Sequence, residues 1–163
     1  MRIKKSILEH LLKREIPYLP ENVSLSFDTR TLKKGDLFVG IDGDKFKGDS
    51  FLESAFNKGA AAAVVNKKSN VKEQEKVILV SDTVSFIGDL AAERLKSWKS
   101  LNSRKRIIAI TGSNGKTTTK ELIAHTLHKI APGQYSSTER NFNNFIGVPI
   151  TAFNLEDEKD YAI

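Results

Sequence analysis

Residues 108–127 read IAITGSNGKTTTKELIAHTL, and this stretch decides the fold of the second half of the chain. The apolar run before Thr111 predicts a strand that is covered on both faces, as in a parallel sheet. The segment after the glycines has helical periodicity and places four apolar residues on one face: Leu122, Ile123, Leu127 and Ile130. A strand, a glycine loop and a helix in this order predict a phosphate-binding loop, because backbone amides and the helix dipole both attract anions.

The loop is shorter than the common pattern G-x-x-x-x-G-K-[ST], which would require a glycine at Ile110. Gly112 and Gly115 give the backbone the freedom that a phosphate cradle needs. We expect Lys116 at the outer phosphates of a nucleotide and the Thr117 hydroxyl on Mg2+. The alternative is a plain glycine turn that carries a solvated lysine.

Length and composition limit the number of domains and the kinds of site that the chain can contain. The 163 residues suffice for one ordinary domain or two small ones, and the net charge of +6 favours anionic partners such as nucleotides. The absence of cysteine excludes disulfides, thiolate metal sites and a cysteine nucleophile. The N-terminal segment lacks the uninterrupted apolar core of a secretory signal. No apolar run approaches the ~18 residues of a membrane span. We therefore predict a cytoplasmic protein without a membrane partner.

The first half of the chain mixes helices and strands. An amphipathic helix is predicted in the N-terminal segment, because apolar residues recur there at helical spacing: Ile3, Ile7, Leu8, Leu11 and Leu12. Strands are predicted at 23–28, 37–41, 60–66 and 76–82, and helices at 51–59 and 83–98. A polar stretch, KSLNSRKR, follows the second helix and is interpreted as a linker. The predicted domains are 1–82 and 105–163, joined by a helix and linker at 83–104.

Several other side chains suggest chemistry only weakly. His125 and His128 have the spacing of a two-histidine metal site, but an exposed surface pair is favoured. The acidic run at 156–160 is interpreted as a solvated loop, and Trp98 as a packing residue rather than a ligand-stacking one. The basic residues at 104–106 have no interleaved aromatic residues, so no nucleic-acid partner is predicted.

The stretch STERNFNNFIGVPITAF, residues 137–153, follows the short predicted strand QYSST. Its hydrogen-bonding side chains are Thr138, Arg140, Asn141, Asn143 and Asn144. Ligands gather at the carboxyl ends of strands in an open parallel sheet, so a binding segment is one interpretation. An asparagine-rich turn is the other, and local composition does not separate the two.

Three segments together resemble one family. TGSNGKTTTKE, residues 111–121, resembles the shortened ATP loop of the Mur ligases, the ATP-dependent amide-forming enzymes of peptidoglycan precursor synthesis. Residues 27–65 are similar to the N-terminal uridine-nucleotide-binding domain of two branches of that family. TERNFNNFIGVPIT, residues 138–151, is similar to the branch that adds D-alanyl-D-alanine to UDP-N-acetylmuramoyl-tripeptide, rather than to the branch that adds the third residue.

The resemblance implies roles for individual residues. ATP and Mg2+ would be held by Gly112, Ser113, Asn114, Gly115, Lys116, Thr117 and Thr118, with Lys116 and Thr117 as catalytic residues and Thr117 as the metal ligand. The uridine nucleotide would be faced by Phe27, Thr29, Asp44, Lys45 and Phe46. Substrate and nucleotide would meet at Thr138, Asn141, Asn143 and Asn144.

The implied fold class is α/β, with a small mixed α/β uridine-nucleotide-binding domain followed by the start of a P-loop parallel-sheet ATPase domain. The resemblance also implies that the chain is the N-terminal portion of a three-domain monomeric enzyme. The 163 residues alone are expected to be inactive, since further Mg2+ ligands and a closing domain would lie beyond Ile163. Three alternatives stay open: the branch adding the third residue, a non-catalytic uridine-nucleotide-binding module, and a generic P-loop NTPase or nucleic-acid protein.

Overall fold

The computed structural model describes residues 1–43, 46–67, 75–138 and 146–163. The chain forms two compact units, Met1–Leu90 and Ala91–Ile163, and the division falls inside helix α3, Thr83–Lys99. The predicted domain limits, 1–82, 83–104 and 105–163, remain a prediction.

The first unit is a five-stranded sheet with helices. Its elements, up to the start of α3, are β1 (Arg2–Lys4), α1 (Lys5–Leu12), β2 (Asn22–Ser26), β3 (Leu37–Val39), a 3-10 turn (Gly48–Phe51), α2 (Leu52–Asn57), β4 (Ala62–Asn66) and β5 (Val77–Val80). The strand order is β1-β2-β3-β4-β5, with β1 antiparallel to β2 and the remaining neighbours parallel. The strands predicted at 23–28, 37–41, 60–66 and 76–82 are confirmed with shorter bounds.

Apolar runs explain the central strands of this unit. Leu37 pairs with Leu25 of β2 and with Ala62 of β4, and the side chains of Leu37, Val39 and Val64 are fully buried. Strands that are buried on both faces need such uninterrupted apolar sequence. A cluster on the α2 side of the sheet contains Leu32, Phe38, Leu52, Ala55, Ala60, Ala63, Val65 and Val77.

The N-terminal helix prediction is wrong at its beginning. Ile3 lies in β1, where it pairs with Val23, and α1 begins only at Lys5. Ile3 is nevertheless buried. Alternate residues of a strand lie on the same face of the sheet, so an edge strand can bury every second residue, just as a helix buries every third or fourth. The apolar spacing of this short segment fits both periods.

The second unit contains a three-stranded parallel sheet. After the end of α3 its elements are β6 (Arg106–Ile107), α4 (Lys116–Ile130), β7 (Tyr135–Ser136), α5 (Gly147–Phe153) and β8 (Tyr161–Ala162). The strand order is β6-β8-β7, so the last strand lies between the other two. The strand expected at QYSST is confirmed, as β7.

Burial in this second sheet differs from the prediction. The strand expected to be covered on both faces is only two residues long, and Ile107 is 41% exposed. On α4, Ala124 and Leu127 are buried, whereas Leu122 and Ile130 remain 64% and 71% exposed. The helical periodicity was interpreted correctly, but the short three-stranded sheet buries only a narrow stripe of the helix.

A buried lysine joins the end of α3 to the turn at 156–160 in this unit. Lys105 is 1% exposed, and its Nζ donates to the carbonyl oxygens of Asp157 at 2.7 Å and Lys159 at 2.5 Å. The same Nζ lies 4.4 Å from the ring centroid of Trp98, whose Nε1 donates to the carbonyl of Glu156 at 2.9 Å. Trp98 therefore packs inside the unit, as predicted.

The same contacts correct the interpretation of the whole stretch KSLNSRKR as a linker. Lys105 is a structural anchor and not part of a polar linker, because a fully buried ammonium is tolerated only with such partners. The interpretation of the acidic run as a solvated loop is confirmed for Glu156, Asp157 and Glu158, which are exposed. The backbone of this loop accepts three hydrogen bonds from Trp98 and Lys105, and the Asp157 carboxylate accepts one from Arg94 at 2.8 Å.

Candidate functional site

The glycine loop lies between β6 and α4, as the sequence predicts. Gly115 has φ of 79° and is the residue that precedes the first turn of α4. This left-handed conformation favours glycine, because a Cβ would clash with the backbone. Gly112 also has positive φ, 146°. The two glycines thus bend the chain so that α4 starts directly at the loop.

Lys116 folds back over this loop. Its Nζ donates to the carbonyl oxygen of Gly112 and, at 3.3 Å, to that of Ser113. The first intrahelical bond runs from the Thr119 amide to the Gly115 carbonyl at 2.9 Å, so earlier amides of the turn have no partner within the helix. Such amides and an ammonium group together suit an anion.

Hydroxyl groups stand beside these donors. Thr117 and Thr118 are exposed in the first turn of α4, next to the exposed loop residues Ser113 and Asn114. A threonine hydroxyl is a hard oxygen ligand of the kind that Mg2+ takes in phosphate sites. Residues 112–118 therefore combine amides at a helix terminus with one ammonium group and exposed hydroxyl groups.

A cavity of about 280 Å³ connects this loop to the end of β7. Its polar lining includes Lys116, Thr117, Lys120 and Thr138, and its apolar lining includes residues 107–110. Two segments that were singled out separately in the sequence therefore meet at one place. Three predicted residues of the second segment, Asn141, Asn143 and Asn144, lie outside the described residues.

Thr138 is held by three hydrogen bonds. Its amide and its Oγ1 both donate to the carbonyl of Ile163, at 2.9 and 3.0 Å. Its carbonyl accepts a hydrogen bond from Lys120 Nζ at 2.8 Å. The sequence interpretation missed Lys120, although its position one turn after Lys116 places both lysines on the same helix face.

The first unit carries a second pocket of about 430 Å³. It is lined by Phe27, Asp28, Thr29, Arg30, Phe38, Ile41, Phe46, Gly48 and Phe51. The structure thus brings together three predicted uridine residues, Phe27, Thr29 and Phe46, while Asp44 and Lys45 lie outside the described residues. Phe46 is 56% exposed and meets Phe51 edge to face, with centroids 5.6 Å apart. An exposed aromatic ring at a pocket rim suits a planar ligand.

A compact ion pair closes one side of this pocket. Arg30 Nε and Nη2 donate to Asp28 Oδ2 at 2.9 and 2.6 Å, and the Arg30 amide donates to Oδ1 at 2.8 Å. These hydrogen bonds stabilise the carboxylate and lower the pKa of Asp28 to about 2. Lys58 Nζ donates to the Thr29 carbonyl at 2.7 Å, so the turn at 28–31 is fixed from two sides.

Another lining residue of this pocket, Gly48, packs directly against the backbone of Gly40. A Cβ on Gly48 would lie 2.2 Å from the carbonyl carbon of Gly40, so the two backbones approach too closely for any side chain. Asp42 accepts from the Gly48 amide at 2.8 Å and from Asn66 Nδ2 at 2.5 Å. Asn66 Oδ1 accepts from the Thr83 amide at 2.8 Å, which ties the wall to the start of α3.

The weaker candidates gain no support. His125 and His128 are exposed, and the ranges 1–43, 46–67, 75–138 and 146–163 contain no group of three or more His, Cys, Asp or Glu residues placed to hold a metal. Of the basic residues at 104–106, Lys105 is buried and does not present its charge at the surface. None of the helices in the described part of the chain is both long and apolar enough to cross a lipid bilayer.

Comparison with known proteins gives the same family over both units. A family model described as "Mur ligase family, catalytic domain" matches residues 23–95, and "Mur ligase middle domain" matches residues 110–163. The UDP-N-acetylmuramoyl-tripeptide--D-alanyl-D-alanine ligase of Bacillus subtilis is 39% identical over 139 residues, which are 83% of this chain and 28% of the relative. A UDP-N-acetylmuramoyl-L-alanyl-D-glutamate--2,6-diaminopimelate ligase of Prochlorococcus marinus is 42% identical over 109 residues, 64% of this chain and 21% of the relative.

Solved structures similar to this chain belong to the same family. MurF from Acinetobacter baumannii superposes with a TM-score of 0.80 at 28% identity, covering 99% of this chain and 35% of that protein. MurF ligase from Thermotoga maritima, in complex with ADP, gives 0.72 at 27% identity, covering 86% of this chain and 31% of that protein. The α/β fold prediction is confirmed. The chain spans less than a third of the length of these two curated relatives.

Proposed function

Because the chain belongs to the Mur ligase family, we propose that the protein containing it is an ATP-dependent amide ligase of peptidoglycan precursor synthesis. The proposed reaction joins D-alanyl-D-alanine to UDP-N-acetylmuramoyl-tripeptide. The observation that carries the proposal is the cavity in which Lys116 and Thr117 of the loop lie beside Thr138.

The residues at the loop fit ATP with Mg2+. Gly115 leaves the α4 terminus open to an anion, and Lys116 can exchange its two backbone carbonyl partners for phosphate oxygens. The exposed Thr117 hydroxyl supplies a hard oxygen ligand. When bound, Mg2+ supplies charge neutralisation at the phosphates. Lys116 is proposed to add to that neutralisation, and the loop amides to orient the phosphates.

The chemistry requires activation of a carboxylate, which is a poor electrophile. One oxygen of the peptide carboxylate attacks the γ-phosphorus of ATP, ADP leaves, and an acyl phosphate forms. The amine of D-alanyl-D-alanine then attacks the acyl carbon, inorganic phosphate leaves with that oxygen, and the amine loses a proton. Thr138 and the asparagines that follow it in sequence are proposed to hold the reacting end of the peptide.

The pocket of the first unit is proposed to bind the uridine nucleotide. Phe46 offers an exposed aromatic face, and Thr29 offers a hydroxyl beside Phe27 on a turn that Lys58 and the Asp28–Arg30 pair hold in place. Asp44 and Lys45 belong to the same proposal. Since the proposed substrates are nucleotides of the cytoplasm, the proposed location of the enzyme is the cytoplasm. A monomeric state remains a prediction.

The second candidate is the ligase that adds the third amino acid. The similarity to the Prochlorococcus marinus relative, which is named as a 2,6-diaminopimelate ligase, favours it. That similarity covers 64% of this chain, whereas the similarity to the Bacillus subtilis relative covers 83%. The greater coverage supports D-alanyl-D-alanine as the amine.

An amine competition assay tests the proposal. The complete protein is supplied with ATP, Mg2+ and either UDP-N-acetylmuramoyl-tripeptide or UDP-N-acetylmuramoyl-dipeptide, together with D-alanyl-D-alanine, diaminopimelate or L-lysine. We expect phosphate release and a pentapeptide product with D-alanyl-D-alanine alone. Turnover of UDP-N-acetylmuramoyl-dipeptide with diaminopimelate or lysine would instead assign the second candidate. ATP hydrolysis that ignores all three amines would contradict both.

A further inference from the structure

Asp42 contacts the wall of the first unit's pocket from behind. One of its carboxylate oxygens, Oδ1, accepts a hydrogen bond from the amide of Gly48 at 2.8 Å, and the other, Oδ2, accepts one from Asn66 Nδ2 at 2.5 Å. Gly48 is among the described residues that line the pocket of about 430 Å³, whereas Asp42 is not. Asp42 can therefore influence a ligand in this pocket through the backbone of Gly48.

The second partner of Asp42 has a fixed orientation. Asn66 is the last residue of β4, and its Oδ1 accepts a hydrogen bond from the Thr83 amide at 2.8 Å. An asparagine side chain has one acceptor end and one donor end, so this bond leaves the Nδ2 group for Asp42. A carboxylate at position 42 offers one acceptor oxygen to each of its two neighbours, whereas an amide there would offer one oxygen and a further donor.

The Gly48 backbone rests on the sheet. A Cβ atom on Gly48 would lie 2.2 Å from the carbonyl carbon of Gly40, so the two backbones are in direct contact. The Gly40 amide donates to the carbonyl of Val64 at 2.9 Å, and Val64 is fully buried in β4. The contact with Gly40 limits movement of Gly48 toward the sheet. Movement away from the sheet would break its hydrogen bond to Asp42, which is itself anchored at the end of β4.

Two phenylalanine rings of the pocket lie on either side of Gly48 in sequence. Phe46 and Phe51 both line the pocket, and they are 56% and 37% exposed. Their rings meet edge to face with centroids 5.6 Å apart. Exposed aromatic rings of this kind suit a planar base, and a shift of the Gly48 backbone would disturb their arrangement.

We propose that Asp42 is a positioning residue for the nucleotide end of the substrate. It holds Gly48 against the sheet and thereby keeps Phe46 and Phe51 in the arrangement that receives the base. The described residues that line this pocket lie between 27 and 51, and those that line the cavity of the phosphate loop lie between 95 and 163. The inference rests on the proposed function, because it concerns the pocket that is proposed to bind the uridine nucleotide.

The test compares three variants of the complete protein. Asp42→Ala removes both acceptors, and Asp42→Asn keeps one of them. Asp49→Ala is the matched control, because it removes the carboxylate next to Gly48 in sequence, which has no hydrogen-bonding partner in the described part of the chain. Each variant is assayed for the Kd of UDP-N-acetylmuramoyl-tripeptide and of Mg-ADP by calorimetry, for kcat and KM, and for Tm.

For Asp42→Ala we expect the Kd and the KM of the UDP-peptide to rise about ten-fold, the order expected when a hydrogen bond to a charged group is lost. The kcat at saturating UDP-peptide and the Kd of Mg-ADP should stay within about two-fold of wild type, because the lost interaction serves substrate and transition state equally. Asp42→Asn should raise the Kd of the UDP-peptide by about three-fold, since one of the two hydrogen bonds is kept. Asp49→Ala should match wild type.

Other results overturn the inference. Unchanged UDP-peptide affinity in Asp42→Ala would do so, as would a parallel loss of Mg-ADP binding with a large fall in Tm, which would make Asp42 a purely structural residue. If Asp42→Ala does not fold, Asp42→Asn decides, and wild-type affinity in that variant would contradict the proposal. An Asp49→Ala defect equal to that of Asp42→Ala would assign the effect to charge rather than to the hydrogen bonds. A wild-type protein that does not bind the UDP-peptide refutes the proposed function itself, a result separate from any difference among the variants.

Discussion

The two sheets of the chain differ in the length of their strands and in how far those strands are buried. In the first unit, residues 62–65 of β4 are all fully buried, and so are Leu37 and Val39 of β3. In the second unit both residues of β6 are exposed, and β7 is only half-buried. The shape of the first pocket therefore rests on a filled apolar core. The shape of the phosphate loop rests on two glycines and on a few hydrogen-bonded side chains.

This difference shows how each site keeps its geometry. Close packing supports the first pocket, with Gly48 pressed against Gly40. Hydrogen bonds add to it at Asp42, at the Asp28–Arg30 pair and at the Thr29 carbonyl, which accepts from Lys58. In the second unit, lysine ammonium groups bind backbone carbonyls, as at Lys105 and Lys120. Apolar truncations should damage the first unit, and removal of single charges should damage the second.

The largest effect is expected from Lys116→Ala in the complete protein. Turnover should fall by about 10²–10³-fold or more, because a preorganised positive group at the phosphates is lost. Binding of the UDP-peptide, measured by calorimetry, should be nearly unchanged, because the proposed uridine pocket lies in the first unit. Lys129→Ala, in the last turn of the same helix, is the matched control and should behave as wild type. Equal loss of turnover and UDP-peptide binding would contradict the separation of the two sites.

A pair of leucines tests the difference in burial directly. Leu37 is fully buried and Leu122 is 64% exposed, so the same truncation to alanine has different consequences. Leu37→Ala should lower the free energy of unfolding by about 2–5 kcal/mol, and Leu122→Ala by less than about 0.5 kcal/mol. Urea denaturation of the 163-residue chain followed by far-ultraviolet circular dichroism measures both. Similar values for the two variants would remove the contrast between the sheets.

Lys105→Met tests whether a buried charge organises the second unit. The change leaves the carbonyls of Asp157 and Lys159 without their donor, and we expect a loss of about 1–3 kcal/mol. Trp98 is the single tryptophan of the chain, and its contact with Lys105 makes its fluorescence a local probe of the transition. Arg104→Gln, at a side chain that is 77% exposed, is the control and should cost under about 0.5 kcal/mol. A Lys105→Met variant as stable as the control would show that packing alone holds the turn at 156–160.

The smallest effect is expected at Asp28, on the surface of the first unit. Arg30 lowers the pKa of this carboxyl from 3.8 to about 2. A lowered folded-state pKa contributes stability above the ordinary value, and that contribution is lost as the pH falls from about 4 to about 2. Asp28→Asn should therefore lose less stability than wild type over this interval, by a small margin because Arg30 is 87% exposed. Denaturation midpoints at pH 5, 4, 3 and 2 measure it, and parallel curves would contradict the assignment.

The elements that the sequence predicted correctly are those with long or regular patterns. The strands β2 to β5 and helices α3 and α4 have apolar runs or helical periods that fit one structure only. Ile3 was assigned to the wrong element because four or five residues fit both periods. Helix α5 was not predicted, since Gly147 and Pro149 are typical of turns; Pro149 is tolerated because it lies in the first turn, where its missing N–H has no helical partner.

The site was predictable where chemistry follows from neighbours in sequence. The loop from Gly112 to Thr118 is contiguous, so its residue types indicate its role. Lys120 and Lys105 were missed because their roles depend on carbonyl groups 18 and more than 50 residues away, at Thr138 and in the turn at 156–160. Backbone acceptors carry no residue-type signal. Only the folded chain reveals them.

An oxygen-transfer experiment tests the central claim, that this loop serves the activation of a carboxylate. The peptide carboxylate of UDP-N-acetylmuramoyl-tripeptide is labelled with 18O and converted by the complete protein with ATP, Mg2+ and D-alanyl-D-alanine. Mass spectrometry of the released phosphate should show one 18O for each amide formed, since the attacking oxygen leaves with phosphorus. Unlabelled phosphate accompanied by amide formation, or phosphate release without D-alanyl-D-alanine, would contradict the account.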